Sequence, residues 1–595
     1  MAKSVLDLID VRFQDATNHT STTSTDTIGM VMPFYWGESD KTRVYTRTEF
    51  FEMFPESLPI GVNNITNTDL YSGYAQIKNA FSHGAGEVEI YRPSDGWKYQ
   101  NLTIDKTGTV SGTNTNLNLS ATKYDETKAV TIALKYAGYV PQSLAFGYTN
   151  ISVGVALSNS PDYTDGAMIQ LNIYGYNGNG EYTAVDNPSG NPQEKGWYVE
   201  DNGVYSLTTD TTVQSDVTYY TYTAPEYTLL ESFEGAANPT AKIGGESIFI
   251  ENVVSNSMFI DVMATDNITI EEDVDEVVYA CNTYDESGVF TSNSFTEAFK
   301  TGIKNGYDVF DDYESSVCTL IINPFVSVSA KCSETVLVTE YDTAIKNIAE
   351  YRKNCLAVIG YPIDYHSVYS DEKVEEYFST HPGKGSKFVI FVQGCEYVSA
   401  FGQRFTLNCI GAYCGEMVNI AKEVHLNQIP SGYVYGIYNG SLKKSLLSGK
   451  VIDLMEKGIN SVFASKRGNI IWGTRTAYSR QSSYFGKINV MRVCTMLLKN
   501  IFPIAIETLH TDAASNPITR ASLSTMLNSI IDTYIANQDL HADSYADCSD
   551  SINTDYLTKG GTVLNIILML HFIGLVERVS IKIIATDTSV TAEFA

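Results

Sequence analysis

The feature that most constrains this chain is an alternation of strands and amphipathic helices, broken in its middle by a long stretch of different texture. From Ile28, IGMVMPFYWG reads as a buried strand ending at Gly37, and TRTEFFEMFP as a short helix stopped by Pro55. In DLYSGYAQIKNAFSHGAG, Leu70, Tyr74, Ile77 and Phe81 recur at helical spacing; Gly84 and Gly86 end the helix and EVEIYRP follows as a strand. The frame resumes after Glu246 with SIFIENVV, a helix through FTEAFKTGIKNG, the strand CTLIINPF, a helix over VLVTEYDTAIKNIAEYRKN, and the strands CLAVIGYP and KFVIFVQG. Between about Ser94 and Glu246, Thr, Asn, Gly and Tyr dominate. Short alternating runs there, such as AVTIALKY, NISVGVAL and AMIQLNIYGY, are separated by turn clusters such as GYNGNG, which predicts an inserted all-β domain. A helix-rich region begins near Tyr413 with GSLKKSLLSGKVIDLMEKG, NVMRVCTMLLKNIF and TRASLSTMLNSIIDTYIANQ.

The expected fold class is therefore α+β and multidomain. Residues 1–27 form an N-terminal strand arm and linker, 28–93 the first part of an α/β frame, and 94–245 an inserted, outward-facing β domain. Residues 246–400 complete the α/β domain, 401–579 form a helix-rich α+β C-terminal domain, and 580–595 a C-terminal strand arm. At the N-terminal end, VLDLIDVRF sets Val5, Ile9, Val11 and Phe13 on one side of a strand and is followed by DATNHTSTTSTDT, a polar run without core residues. The last segment, VERVSIKIIATDTSVTAEFA, alternates in the same way through Ile581 and Ile583. Each end reads as a strand on a leash whose partner lies outside its own fold.

Composition narrows the function. Forty Lys and Arg against 69 Asp and Glu give a net charge of −29, which argues against bulk nucleic-acid binding. The nine cysteines, none earlier than Cys281, have no CxxC pair and read as reduced, mostly buried thiols made in a cytoplasm. MAKSVLDLIDVRF lacks the long apolar run of a secretory signal, and the longest apolar stretch, Val563 to Val576, is interrupted by Asn565 and His571, so neither a leader nor a membrane segment is expected. Neither Gly449-Lys450 nor Gly486-Lys487 completes a phosphate loop, and Gly84-Ala85-Gly86 is a helix stop instead of a dinucleotide turn. The eight histidines form no HxxxH or HExxH pair, no GxSxG is present, and the acidic run EEDVDE lacks calcium-loop spacing. No catalytic residue, cofactor or metal ligand is expected, and the reading turns to assembly.

In the C-terminal third, Gly458-Ile459-Asn460 is followed by Gly468, by Ile471-Trp472-Gly473-Thr474-Arg475-Thr476, and by Ile488-Asn489-Val490 with Arg492. This ordered set resembles the signature of contractile-tail sheath proteins of bacteriophages and related injection machines: a GxN turn, a WGxRT strand and an INVRR-like helix start. Val493 stands where the family commonly has a second Arg. Ile429-Pro430-Ser431-Gly432 looks like the family's PAG turn, and AFSHGAGEVEIYRP its helix, Gly-rich stop and strand, so the resemblance spans about residues 28–93 and 246–595. Read without the family, Trp472 and the preceding isoleucines belong to a buried strand, while Arg475 and Arg492 pair with carboxylates inside one subunit or between subunits.

The resemblance implies a virion component assembled in the host cytoplasm: a homo-oligomer of hexameric rings stacked helically around a tail tube, meeting baseplate and tail terminator proteins. Energy would be stored in assembly, with no nucleotide, no nucleic acid and no membrane contact. It implies a subtilisin-like fold, without a catalytic triad, for the α/β region, and an intersubunit mesh made by the strand arms. It also sets the C-terminal domain against the tube, where the helix over 519–538 has Leu523, Leu527, Ile530 and Ile531 as its buried stripe and Asp532 as a tube contact. The alternatives are an α/β-fold hydrolase and a secreted surface-layer or adhesin protein.

Overall fold

The computed structural model describes the chain apart from residues 1–25, 41, 63–68, 114–115, 160–166, 179–180, 202–203, 224, 237–241, 244–245, 286–289, 292–293, 326–334, 363–369, 401–402, 481, 554–562, 576–580, 586–589 and 595. Its centre is a nine-stranded sheet. The strands in chain order are β1 (Ile28–Val31), β2 (Thr42–Thr46), β3 (Glu87–Tyr91), β4 (Leu320–Ile322), β5 (Leu356–Gly360), β6 (Val389–Gln393), β7 (Ile437–Tyr438), β8 (Ile459–Ser465) and β9 (Gly468–Trp472). They lie in the order β2-β3-β1-β4-β5-β6-β8-β9-β7. The six from β3 to β8 are parallel, and β2, β9 and β7 pair antiparallel at the two edges. β4, β5 and β6 are buried throughout, which explains their near-continuous apolar sequences LII, LAVIG and VIFVQ.

Helices cover both faces of this sheet. The described helices of the chain are α1 (Arg47–Met53), α2 (Asp69–Ser82), α3 (Ile248–Asn256), α4 (Glu297–Phe310), α5 (Thr335–Arg352), α6 (Asp371–Thr380), α7 (Ile410–Glu423), α8 (Gly432–Tyr435), α9 (Ser448–Glu456), α10 (Ile488–Thr508) and α11 (Pro517–Ala536). Successive residues of β1, and Met32 just beyond it, serve opposite faces: Met30 and Met32 pack on Gly73 of α2, whereas Gly29 lies against Phe310 and Val31 against Gly306, both of α4. α7 packs along α2. Its Gly411 and Gly415 lie one turn apart and touch the backbone oxygens of Gln76 and Ala80, leaving no room for a larger residue. α10 is apolar and long enough to cross a membrane, but it is mostly buried within this fold.

The chain is α+β and multidomain, as expected, with differences in where elements begin and belong. β1 stops at Val31 because Pro33 has no N–H to continue the ladder. The β region after Ser94 contains a five-stranded sheet, a four-stranded sheet built on Asn150–Ser158 and Met168–Tyr176, and a second four-stranded sheet over Glu181–Thr223. Its sheets take in Ile260–Ala264 and Val274–Ala280, so the β unit runs past residue 245. SIFIENVV does not resume the frame. It forms α3, whose Phe249 and Val253, one turn apart, are buried against this β unit. Nor does residue 400 divide the sheets, since β7, β8 and β9 extend the central one. Within GSLKKSLLSGKVIDLMEKG only α9 is helical; Ser441–Lys444 pairs with Cys395–Ala400 instead, tertiary pairing having overridden local preference. The eight described cysteines are all buried.

Candidate functional site

The residues of the C-terminal signature meet at the point where β9 leaves the sheet. α9 ends and the chain reverses at Gly458, whose φ of +84° is a left-handed conformation that glycine adopts without cost. Two residues on, Asn460 is fully buried in β8, opposite Val392 of β6. Its side-chain amide donates to the Phe391 carbonyl at 2.9 Å and the Arg475 carbonyl at 2.8 Å, and its Oδ1 accepts the Arg475 N–H at 3.1 Å. One side chain thereby satisfies the backbone of a segment that has departed from the ladder. Gly473 passes directly over Asn460 with φ +144°, where a β-carbon would collide with that amide. The Asn of GxN and the Gly of WGxRT are thus two halves of one contact.

The following residues stitch this segment to the start of α10. Thr476 is fully buried, its hydroxyl donating to the Phe485 carbonyl at 2.9 Å and its N–H to the Gly486 carbonyl at 3.0 Å. The Ile488 N–H reaches the Thr474 carbonyl at 2.9 Å, Ala477 bonds back to Val389 of β6, and Arg475 forms a backbone bridge with Lys487. Ile470 and Ile471 are buried as expected, whereas Trp472 is half-buried and packs edge-on against Tyr433, with ring centroids 5.8 Å apart. Arg492, in the second turn of α10, is buried and forms an ion pair with Asp26 while also donating to the Met417 carbonyl. Of the two arrangements open for Arg492, the structure has the intramolecular one. Asp26 also accepts the Thr319 hydroxyl at 2.8 Å.

Asp26 is the residue that sequence reading missed. It was counted, with Thr27, in the polar run without core residues, yet both are buried. A lone Asp among threonines has no local pattern that announces a partner so distant in the chain. Val5, Ile9, Val11 and Phe13 lie outside the described residues. Ile581 and Ile583 fall in a strand, Ile581–Ala585, which pairs antiparallel with Val590–Phe594, so the expected polar tail supplies the second strand of a hairpin. On α11, Leu523, Leu527 and Ile531 are buried, Ile530 is partly buried, and Asp532 is exposed.

Among the described residues no group of three His, Cys, Asp or Glu side chains is placed to hold a metal ion. The junction contains no nucleophile set beside a base; its chemistry is that of a hydrogen-bonded seam joining sheet to helix. Its structural neighbours are sheath proteins. A sheath tail protein from Listeria innocua aligns with a TM-score of 0.47 at 10% identity, covering 90% of each chain. One from Desulfitobacterium hafniense aligns with a TM-score of 0.42 at 10% identity, over 91% of this chain and 93% of that one. The helical sheath of the anti-feeding prophage in its contracted state gives 0.37 at 14% identity, over 51% and 77%. No family model and no curated protein matches the sequence.

The seam makes a direct prediction. Asn460→Ala leaves two buried carbonyls and an N–H without their partner and is expected to lower unfolding free energy by about 1–3 kcal/mol. Gly473→Ala forces the same amide aside and is expected to cost a similar amount, about 1–3 kcal/mol. Denaturant unfolding of each single variant and of the pair checks this, with the pair less than additive because both changes remove one contact.

Proposed function

We propose that this chain is the structural subunit of a contractile tail sheath, in which many copies stack as hexameric rings in a helical tube around an inner tail tube and shorten on triggering. The observation that carries the reading is the ordered signature from Gly458 to Arg492: its Asn, Gly, Thr and Arg positions each hold a buried contact of one seam. In this reading the α/β frame is the family's subtilisin-like domain without catalytic function, and the strand arms link subunits. The C-terminal region faces the tail tube, with baseplate and terminator proteins closing the ends. The assembled particle is a virion tail or a related injection device, built in the host cytoplasm. Electron microscopy of purified protein tests the proposal: long hollow tubes support it, and monodisperse particles under all assembly conditions refute it.

Two further expectations follow. The β unit is proposed to face outward and to contribute little to the lattice. Replacing residues 99–280, the span its sheets occupy, with a short linker should leave tube formation intact. The variant should melt earlier, since Trp36 loses the ring of Tyr136 at 5.3 Å and Arg92 its Ala137 carbonyl. A folded variant that forms no polymer would count against an outward position. For the tube contact, Asp532→Lys is expected to weaken co-assembly with purified inner-tube protein while sheath-only polymers form as before. Unchanged co-sedimentation with the tube would remove Asp532 from that interface.

A further inference from the structure

One edge of the nine-stranded sheet ends in the two-residue strand β7, and no strand lies beyond it among the described residues. Just before and within it, GYVYGI lifts four apolar side chains into solvent: Tyr433 is 44% exposed, Val434 73%, Tyr435 39% and Ile437 54%. The backbone and one ring of this segment are anchored. Gly436 accepts the Ile471 N–H at 2.7 Å, and the Tyr433 ring lies between Trp472 and the Arg467 guanidinium, which is 5.1 Å from its centroid. A ridge fixed in this way has a partner surface to meet, because exposed apolar side chains gain nothing from water.

Charge identifies that partner. Between Val424 and Ile506 the chain has eleven Lys and Arg against two Asp and Glu, while the rest has 29 against 67. Lys450 and Lys457 are neutralised by Asp371 and Glu375 of α6, at 2.8 and 2.6 Å. Lys466 and Arg467 are exposed beside the ridge, in the turn between β8 and β9, and form no ion pair with any described residue. We infer that the ridge around Val434, with Lys466 and Arg467, docks on the acidic surface of a second copy of this chain. Outside Val424–Ile506 such a copy presents more than two acidic residues for each basic one. Two copies of the ridge repel one another, so a two-fold dimer through it is disfavoured. The contact is heterologous and propagates head to tail as an open array.

The inference rests on the polymer reading and is tested apart from it. Full-length wild type, K466E/R467E and V434D are compared by sedimentation velocity and by pelleting, at about 50 and about 500 mM salt, with melting curves confirming that each is folded. Both variants should melt like wild type and lose at least about tenfold in pelleted polymer at low salt. Wild-type polymer should weaken as salt rises. If both variants polymerise like wild type, the ridge is no interface although the polymer reading stands. If wild type forms no tubes but shows concentration-dependent association that K466E/R467E abolishes, the ridge stands and the tube reading falls. If wild type stays monomeric throughout, both fall. If K466E/R467E changes only retention on immobilised poly-glutamate, the ridge serves another acidic partner and the inference is overturned.

Discussion

Deletion of residues 1–14 is expected to leave a folded subunit that forms no tubes. The proposed sheath would change its ring spacing and twist without coming apart, so neighbouring subunits would need links that survive while rigid surfaces slide. A strand exchanged on a polar leash provides this, because backbone hydrogen bonds hold its end while the leash absorbs displacement. The N-terminal sequence fits that proposed design: Val5, Ile9, Val11 and Phe13 alternate before a polar run, and Asp26 is buried. The C-terminal hairpin, Ile581–Ala585 with Val590–Phe594, is a two-stranded sheet that pairs with no further described strand, and a hairpin of that size gains stability by acquiring one. Proline at Ile9 or Ile583 removes a ladder donor and should act like the deletion. Melting curves and electron microscopy read the two effects separately. Normal tubes from these variants, contracting as intact cylinders, would show that the ends do not link subunits.

Breaking the Asp26–Arg492 pair is expected to produce the largest loss of stability of any single substitution outside the apolar core. Both side chains are almost wholly buried, 466 residues apart in sequence, and they fasten the segment entering β1 to the second turn of α10. Arg492→Met strands the Asp26 carboxylate in the interior with only the Thr319 hydroxyl for support and should cost about 3–5 kcal/mol. Arg492→Lys should recover little, because an ammonium lacks the planar guanidinium that reaches both Asp26 and the Met417 carbonyl. The double variant Asp26→Leu with Arg492→Met should regain much of the loss, since apolar groups of similar size replace a buried pair at small cost. Denaturant unfolding of the three variants checks the order. An Arg492→Met protein as stable as wild type would show that the pair holds nothing.

What was legible in the sequence follows a physical division. Helical spacing in Leu70, Tyr74, Ile77 and Phe81, the apolar runs of β4, β5 and β6, and the stripe of Leu523, Leu527 and Ile531 are local patterns. Each records how one element divides its faces between core and water, so each element could be read by itself. The seam was legible only as an ordered set of residue types. That Asn460 and Gly473 form one contact requires the register of β8 against β9, which no local pattern encodes. SIFIENVV reads as part of the frame because a short apolar run does not say which core it packs on, and the structure sets it as a helix against the β unit.

The sequence by itself determined the alternation of the frame, the foreign texture of the β region, the design of the two ends and the signature that carries the functional reading. Only the tertiary structure decided which strands share a sheet: it gave Ile260–Ala264 and Val274–Ala280 to the β unit and β7, β8 and β9 to the central sheet. It alone paired Asp26 with Arg492 and left Tyr433, Val434, Tyr435 and Ile437 standing in solvent. The reason is one of range. Periodicity is set by neighbours a few residues apart, whereas sheet membership and the partner of a buried charge depend on which distant surfaces meet when the whole core closes.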